Sequence, residues 1–349
     1  MRASIMQNDF RIDVLRNYVK AGEIFAESVN IHYSKDSEVM KGIRTRIHKV
    51  KMANDSLTFD YFKDRIQPVL IQGGVEKPLG VFMVMANPRT MSDLLDYVSI
   101  EGYDETMILK QAAFEERKYY AAGTKYISII ETILTENGLA NVYKIDTSAA
   151  LAEDLEVAAG ENCLNFVNEM LDAINYQHVW QDATGIIHLE PIVTPTAPDF
   201  TYTDRKRGGF LLETIEEGTD IYDLPNVVIG VWSSPDADDP IVYKKVNEDP
   251  MSIISTVSRG YRVVKRVDLR STASVAELQA YVERVAFEAM QATETVAFTT
   301  PAEAGHEPNT SIQLDTEDIA GLFIETGWDM TISTSEYSMR HTAERKVFV

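Results

Sequence analysis

The sequence predicts an α+β protein that is mainly antiparallel β, with its helices concentrated in a middle segment and one late stretch. Three observations carry this reading. Residues 57–88, LTFDYFKDRIQPVLIQGGVEKPLGVFMVMANP, place a β-rich run at 61–71, a Gly73-Gly74 turn and a second run at 79–86 that ends at Asn87-Pro88, the pattern of a long hairpin. Helical periodicity with start and stop signals is confined to 125–136, 163–174 and 275–292. Short strand patterns separated by turn residues then occupy most of the remaining C-terminal third.

Taken in order, residues 12–58 alternate in a β-like way, with Ile43, Ile47 and Val50 sharing one side only approximately. Together with the hairpin they form an antiparallel region that closes near residue 98. Pro68 cannot donate to a ladder, so an edge or a bulge is expected beside it. Between Gly80 and Ala86 every residue is apolar, as in a barrel-wall strand covered on both faces. Residues 125–136 put Tyr126, Ile130, Ile133 and Leu134 on one helical face, entered at Thr124 and stopped by Asn137-Gly138. Residues 163–174 do the same with Cys163, Phe166, Val167, Met170 and Ile174, entered through Asn162.

A second hairpin follows, 175–181 and 186–192 about the turn Asp182-Ala183-Thr184-Gly185. Beyond the proline-spaced connector 191–198 come strands at 227–232 and 241–246. The helix at 275–292 has a capping box of Ser274 and Glu277 and an apolar stripe of Leu278, Tyr281, Val282, Val285 and Ala289. Strand pairs 295–299 with 311–314, and 322–325 with 330–333, complete the order β domain, αβ segment, β domain.

At 349 residues the chain exceeds one compact core. Lys+Arg 33 against Asp+Glu 54 leaves a formal charge of -21, which opposes nucleic-acid binding and docking on anionic membranes. The charge is uneven: net +2 over residues 1–100, -12 over 101–200 and -11 beyond, so the middle segment reads as a distinct unit. The one cysteine, Cys163, forms no intrachain disulfide, and a reducing or redox-indifferent setting fits it. Charges are scattered through the first twenty residues, and no segment reaches the roughly 18 to 20 apolar residues of a membrane span. A soluble product without a cleaved export signal or membrane insertion is expected.

Little in the sequence points to chemistry, and no catalytic, cofactor or metal residue is assigned. None of the six histidines stand i, i+4 on a helix, and His306-Glu307 runs at once into Pro308. His178 and His188 flank the second hairpin's turn. If Gln181 pairs with Ile186, the two imidazoles fall on opposite sides; a bulge would change that register. Cys163 beside Glu161 lacks the electropositive setting of a nucleophile. Glu115-Glu116 and Asp154 with Glu156 are the pairs a glycosidase would use, but 54 acidic residues produce such pairs by chance. Gly208-Gly209 is loop punctuation. Arg259, Arg262, Lys265, Arg266 and Arg270 form the densest basic run, suited to an acidic neighbouring subunit or to a solvated strand face. Trp180, Trp232 and Trp328 could stack on sugars, although isolated tryptophans in β domains are usually core residues.

The segments FDYFKDRIQPVLI, EKPLGVFMVMANP, GYDETMIL, AGTKYISIIETILTENG, ENCLNFVNEMLDAINYQHVWQDATGIIHLEP, LPNVVIGVW and VNEDPMSIISTVSRGYRVVKR, in this order, resemble the baseplate hub proteins of tailed phages and phage-derived particles. They are similar to late control protein D and to the hub part of type VI secretion spike proteins. The resemblance implies two tube-type β-barrel domains with a connecting αβ domain. It places the first barrel at 1–98, the acidic connecting domain at 99–200, the second barrel at 201–246 and 293–349, and a strand-helix insertion at 247–292 packing with the connecting domain. It further implies a homotrimeric ring joining a six-fold tail tube to a three-fold spike or tip, no cofactor, residence in a virion or phage-like particle, and assembly in the bacterial host cytoplasm. Hubs that degrade cell wall usually carry a separate enzymatic module, and none is expected within these residues. A wall hydrolase using a carboxylate pair and a cell-wall carbohydrate-binding module are the competing readings.

Overall fold

The computed structural model describes residues 9–48, 59–86, 89–91, 96–151, 153–193, 195–204, 209, 211, 215–232, 240–269 and 275–347. Strand accounts for 48% and helix for 16%, and most pairings are antiparallel, so the α+β class dominated by antiparallel β holds. The chain divides into two compact units, Met1–Thr214 with Phe298–His341, and Ile215–Ala297 with Thr342–Val349.

The chain begins with β1 (Asp9–Arg16), β2 (Val19–Ile24), β3 (Ala26–Ser34), β4 (Lys41–His48), β5 (Asp64–Gln72), β6 (Val75–Pro78), β7 (Met83–Ala86), β8 (Arg89–Met91) and β9 (Asp96–Tyr103). Next come α1 (Thr106–Gln111), β10 (Lys118–Tyr120), α2 (Tyr126–Glu136), β11 (Val142–Lys144), β12 (Leu155–Val157), α3 (Cys163–Ala173), β13 (Trp180–Gln181) and β14 (Ile187–Leu189). The remainder is β15 (Phe200–Thr203), β16 (Glu216–Asp220), β17 (Val227–Trp232), β18 (Ile241–Val246), α4 (Thr256–Arg259), β19 (Val264–Leu269), α5 (Val275–Ala289), β20 (Ala292–Pro301), β21 (Ser311–Asp315), β22 (Ala320–Ser333) and β23 (Tyr337–Val347).

In the first unit one sheet runs β2-β1-β5-β6, and a longer one runs β22-β3-β4-β9-β7 with β21 and β15 added beside β22. Both feed one apolar core in which Ile12, Ile31, Ile43, Ile66, Phe82 and Trp328 are buried. Along β4, Ile43, Thr45 and Ile47 point inward while Arg44 and Arg46 point out, so a regular two-residue period replaces the approximate one; Val50 lies outside the described residues. Helices α2 and α3 build a second core from Ile130, Ile133, Leu134, Phe166, Val167 and Leu171. The Asn162 side chain caps α3 by accepting from the Asn165 amide, as expected. Helix α2 instead starts at Lys125 with no side-chain cap, because the Thr124 hydroxyl turns back to the Ala121 carbonyl. Its end is as read: Gly138 adopts φ 81° after Asn137, and the Leu139 amide bonds to the Leu134 carbonyl.

The organising hairpin is partly redrawn. Gly73 and Gly74 both take positive φ, as a two-residue primed turn requires, and join β5 to β6, so the second strand begins at Val75 rather than Leu79. Residues 83–86 leave the hairpin and pair with β9 as β7. Between the pairs Val69–Pro78 and Ile66–Phe82, two residues on β5 face three on the partner, a bulge opposite Pro68. The missing Pro68 amide proton points into that irregularity, while its carbonyl accepts from Leu79. The expected pair 322–325 with 330–333 is overturned: both lie in the single fourteen-residue strand β22. Likewise β20 pairs with β16 and neighbours β23, not β21, which pairs with β15 and β22.

In the second unit, β18-β17-β19 form a three-stranded sheet in which β17 and β19 are parallel. Helix α5 lays Leu278, Val282 and Ala286 against Val228, and ends at Ala289 rather than 292 because β20 begins there. The Ser274 capping box lies outside the described residues. Buried Asn226 ties the sheet to the loop beyond it, donating to the Ile254 and Tyr261 carbonyls and accepting from the Val263 amide. Among the described residues no run of strand pairings closes on itself into a barrel.

Candidate functional site

The second hairpin pairs Gln181 with Ile187 and Trp180 with His188, one residue out of the expected register. The four-residue turn supplies the irregularity: Asp182 accepts from the Thr184 amide and hydroxyl and from the Ile186 amide. His188 reaches Asp182 at 3.1 Å and stacks on Trp180, whereas His178 sits outside beside Asp172 at 3.2 Å. Each imidazole therefore has its own carboxylate. Burial pushes the Asp182 carboxyl up, but the hydrogen bonds from His188 and the turn outweigh it and hold it well below the usual carboxylate range.

The carboxylate pairs are occupied structurally. Asp154 accepts from the Ala122 amide at 2.8 Å and from the Tyr119 hydroxyl, while Glu156 is paired with Arg117. Glu115 and Glu116 line an open polar cavity of about 540 Å³ with Lys118, Glu136, Asn137 and Cys163. No histidine lines it, and burial raises the Cys163 thiol pKa, the opposite of what an activated nucleophile requires. In the basic run, Arg259 donates to the Leu224 and Ile221 carbonyls and Arg266 pairs with Asp268. Arg262 and Lys265 face solvent, and Arg270 and Gly208 lie outside the described residues. Trp180 and Trp328 are buried, and Trp232 packs beneath α5, so the tryptophans are core residues.

Two buried polar clusters carry no local sequence signal. Lys41, Asp104, Glu105 and Gln181 are buried together: the Lys41 amide donates to Asp104, and Glu105 accepts from Arg65 at 2.7 Å, Tyr18 at 2.5 Å and Gln181 at 2.9 Å. Tyr18 is held at φ 60° in the β1–β2 turn, a costly position for a non-glycine residue that this hydrogen bond helps to offset. Glu307 extends the network to Lys41 and to the Ala183 amide.

The second cluster is His306, Glu325 and His341. Glu325 comes from β22, His341 from β23, and His306 from the segment ahead of β21. Their side chains are 0–1% exposed. His306 Nδ1 lies 2.8 Å from one Glu325 oxygen and His341 Nδ1 2.6 Å from the other. Burial pushes the Glu325 carboxyl up, and the two imidazoles more than reverse this; burial also lowers the His341 pKa against the pull of Glu325. No helical or short-range spacing links these three positions, since a strand partner is chosen by the sheet.

No family model matches the chain, and no curated protein matches it by sequence. Solved structures do match. The chain is similar to the tail protein from Neisseria meningitidis MC58, with a TM-score of 0.69, 13% identity, and 96% of each chain covered. It is similar to the 43 kDa tail protein of prophage MuSo2 from Shewanella oneidensis, with a TM-score of 0.67, 9% identity, and 96% of this chain and 98% of that one covered. It is also similar to the E. coli c3393 protein, a component of the type VI secretion system with structural similarity to T4 bacteriophage tail proteins gp27 and gp5, at a TM-score of 0.51, 11% identity, and 96% and 76% covered. The chain therefore has the fold of these tail and type VI proteins.

Proposed function

We propose that the chain is a non-enzymatic structural hub of the baseplate in a phage or phage-like tail. Three copies form a ring that adapts the six-fold tail tube to the three-fold spike or tip and encloses part of the channel for DNA or effector. Each copy supplies two tube-type β domains, residues 1–98 and 201–246 with 293–349, joined by the αβ domain 99–200 and carrying 247–292 as an insertion. Its partners are two further copies, the tube protein, the spike or tip protein, and other baseplate proteins. It is assembled in the host cytoplasm and resides in the particle.

The observation that carries this reading is the extent of the likeness, a shared fold over nearly the whole of both chains rather than one shared module. Two physical features support it. The segment around α4 leaves Met251 86%, Ile253 56%, Val257 63% and Tyr261 51% exposed, an unusual apolar display for a monomer and one that a subunit interface would cover. An excess of 21 acidic residues permits a channel lining that repels phosphate instead of holding it.

Light scattering and negative-stain microscopy test the proposal together. A mass near three times 39.2 kDa, with a ring and central channel, is the expected result. A monodisperse monomer over a wide concentration range would count against it. Loss of turbidity from a peptidoglycan suspension would favour the hydrolase reading instead, and saturable retention on wall glycans the binding module.

A further inference from the structure

The outer partners of the His306–Glu325–His341 cluster indicate what lies between its members. His306 Nε2 is 3.0 Å from the Tyr202 hydroxyl, which is also 3.3 Å from Glu303 Oε2. His341 Nε2 is 2.8 Å from the Thr300 hydroxyl, which is also 3.0 Å from the Pro301 carbonyl oxygen. A carboxylate and a carbonyl only accept, so each hydroxyl can donate there and accept an imidazole Nε2–H in turn. In that tautomer two Nδ1 lone pairs face the two oxygens of one buried carboxylate, and one cation between them would satisfy all three groups; in the other tautomer each Nδ1–H donates to Glu325 and no ion is needed.

We propose that His306, Glu325 and His341 bind a divalent transition-metal ion of the zinc class. Two imidazole nitrogens and a carboxylate are a donor set that Zn²⁺ takes, and the second Glu325 oxygen is available as a fourth donor. The candidate ligand atoms of the three residues lie within 4.8 Å of one another. To meet one ion, the hydrogen-bond contacts of 2.6 and 2.8 Å must open and the widest separation, up to 4.8 Å, must close toward about 3.3 Å, the edge of a tetrahedron with arms of ~2.0–2.1 Å. Tyr202 and Thr300 hold the ring orientations from outside, the usual arrangement around ligating histidines. With all three side chains buried, no path for a substrate reaches the ion. It is a structural clamp joining β22 and β23 to the segment before β21.

Because the site is closed, loading is tested through folding. The full-length chain is unfolded in guanidinium with a chelator, desalted, and refolded at neutral pH with or without a small excess of Zn²⁺, and bound metal is measured after a second desalting. One zinc per chain and a rise of a few degrees in Tm are expected, both lost in Glu325→Gln. Refolding wild type with Co²⁺ should give the visible ligand-field bands of a low-coordinate nitrogen and oxygen site, a reading that stands even where the variant does not fold. Folded wild-type protein with negligible zinc and no cobalt bands overturns the proposal and leaves the cluster bridged by protons. Stoichiometric zinc retained by Glu325→Gln overturns it too, since the ion would then sit elsewhere.

Discussion

Replacing Gly230 by alanine probes the packing of α5 on β17. A Cβ at Gly230 would lie 2.2 Å from Val282 Cγ2 and 3.1 Å from Leu278 Cδ1. Carbon atoms pack best at about 3.5–4.0 Å, so more than an ångström must be found by moving the helix or by turning a β-branched side chain that is stiff in a helix. Overpacking of this kind costs about 1–3 kcal/mol. Val282→Ala alone removes two buried methyl groups and costs about 2 kcal/mol. In the double variant the new methyl occupies the vacated space, so the combined loss should fall short of the sum by at least ~1 kcal/mol. Urea unfolding of the four proteins in a Trp180→Phe, Trp328→Phe background, followed by circular dichroism and by the fluorescence of Trp232 on the same strand, gives the cycle. Additive losses, or a Gly230→Ala variant as stable as wild type, would refute the close crossing of α5 over β17 at this glycine.

Three further outcomes follow from the geometry. Asp182 has its carboxyl pKa depressed in the fold, so its contribution to stability is present above the unfolded value near ~3.9 and is lost as pH falls through the folded value; Asp182→Asn should flatten the acid limb of the stability profile below about pH 4 and leave its neutral-to-alkaline shape unchanged. Cys163 is buried at the start of α3 with its thiol pKa raised, first by desolvation, so a thiol reagent should modify it far more slowly in the native protein than in denaturant, and equal rates would contradict its placement. At Gly74, φ is 82° with open space around the Cβ position, so Gly74→Asn should be nearly neutral while Gly74→Val costs roughly 1–2 kcal/mol from backbone strain alone; equal melting temperatures for the two would refute the primed turn.

What the sequence determined by itself are the features decided within a few residues. The Gly73-Gly74 turn, the Asn162 cap, the Asn137-Gly138 stop and the apolar faces of α2 and α3 all follow from short-range sterics and hydrogen bonding, which act the same way wherever the segment is placed. The alternation of β4 was legible once Thr45 is counted among the inward residues. The tertiary structure alone decided which strands pair. Gly327-Trp328-Asp329 interrupts the apolar pattern and reads as a turn, yet β22 runs straight through it, because β3 lies alongside with the Tyr33 carbonyl 3.0 Å from where a side chain at residue 327 would begin. The glycine is there for that close approach. In the same way β7 leaves its hairpin for β9, and His306, Glu325 and His341 meet with no spacing to announce them. Strand order and buried polar clusters depend on partners far away in the chain, and their energies appear only when the sheets have formed.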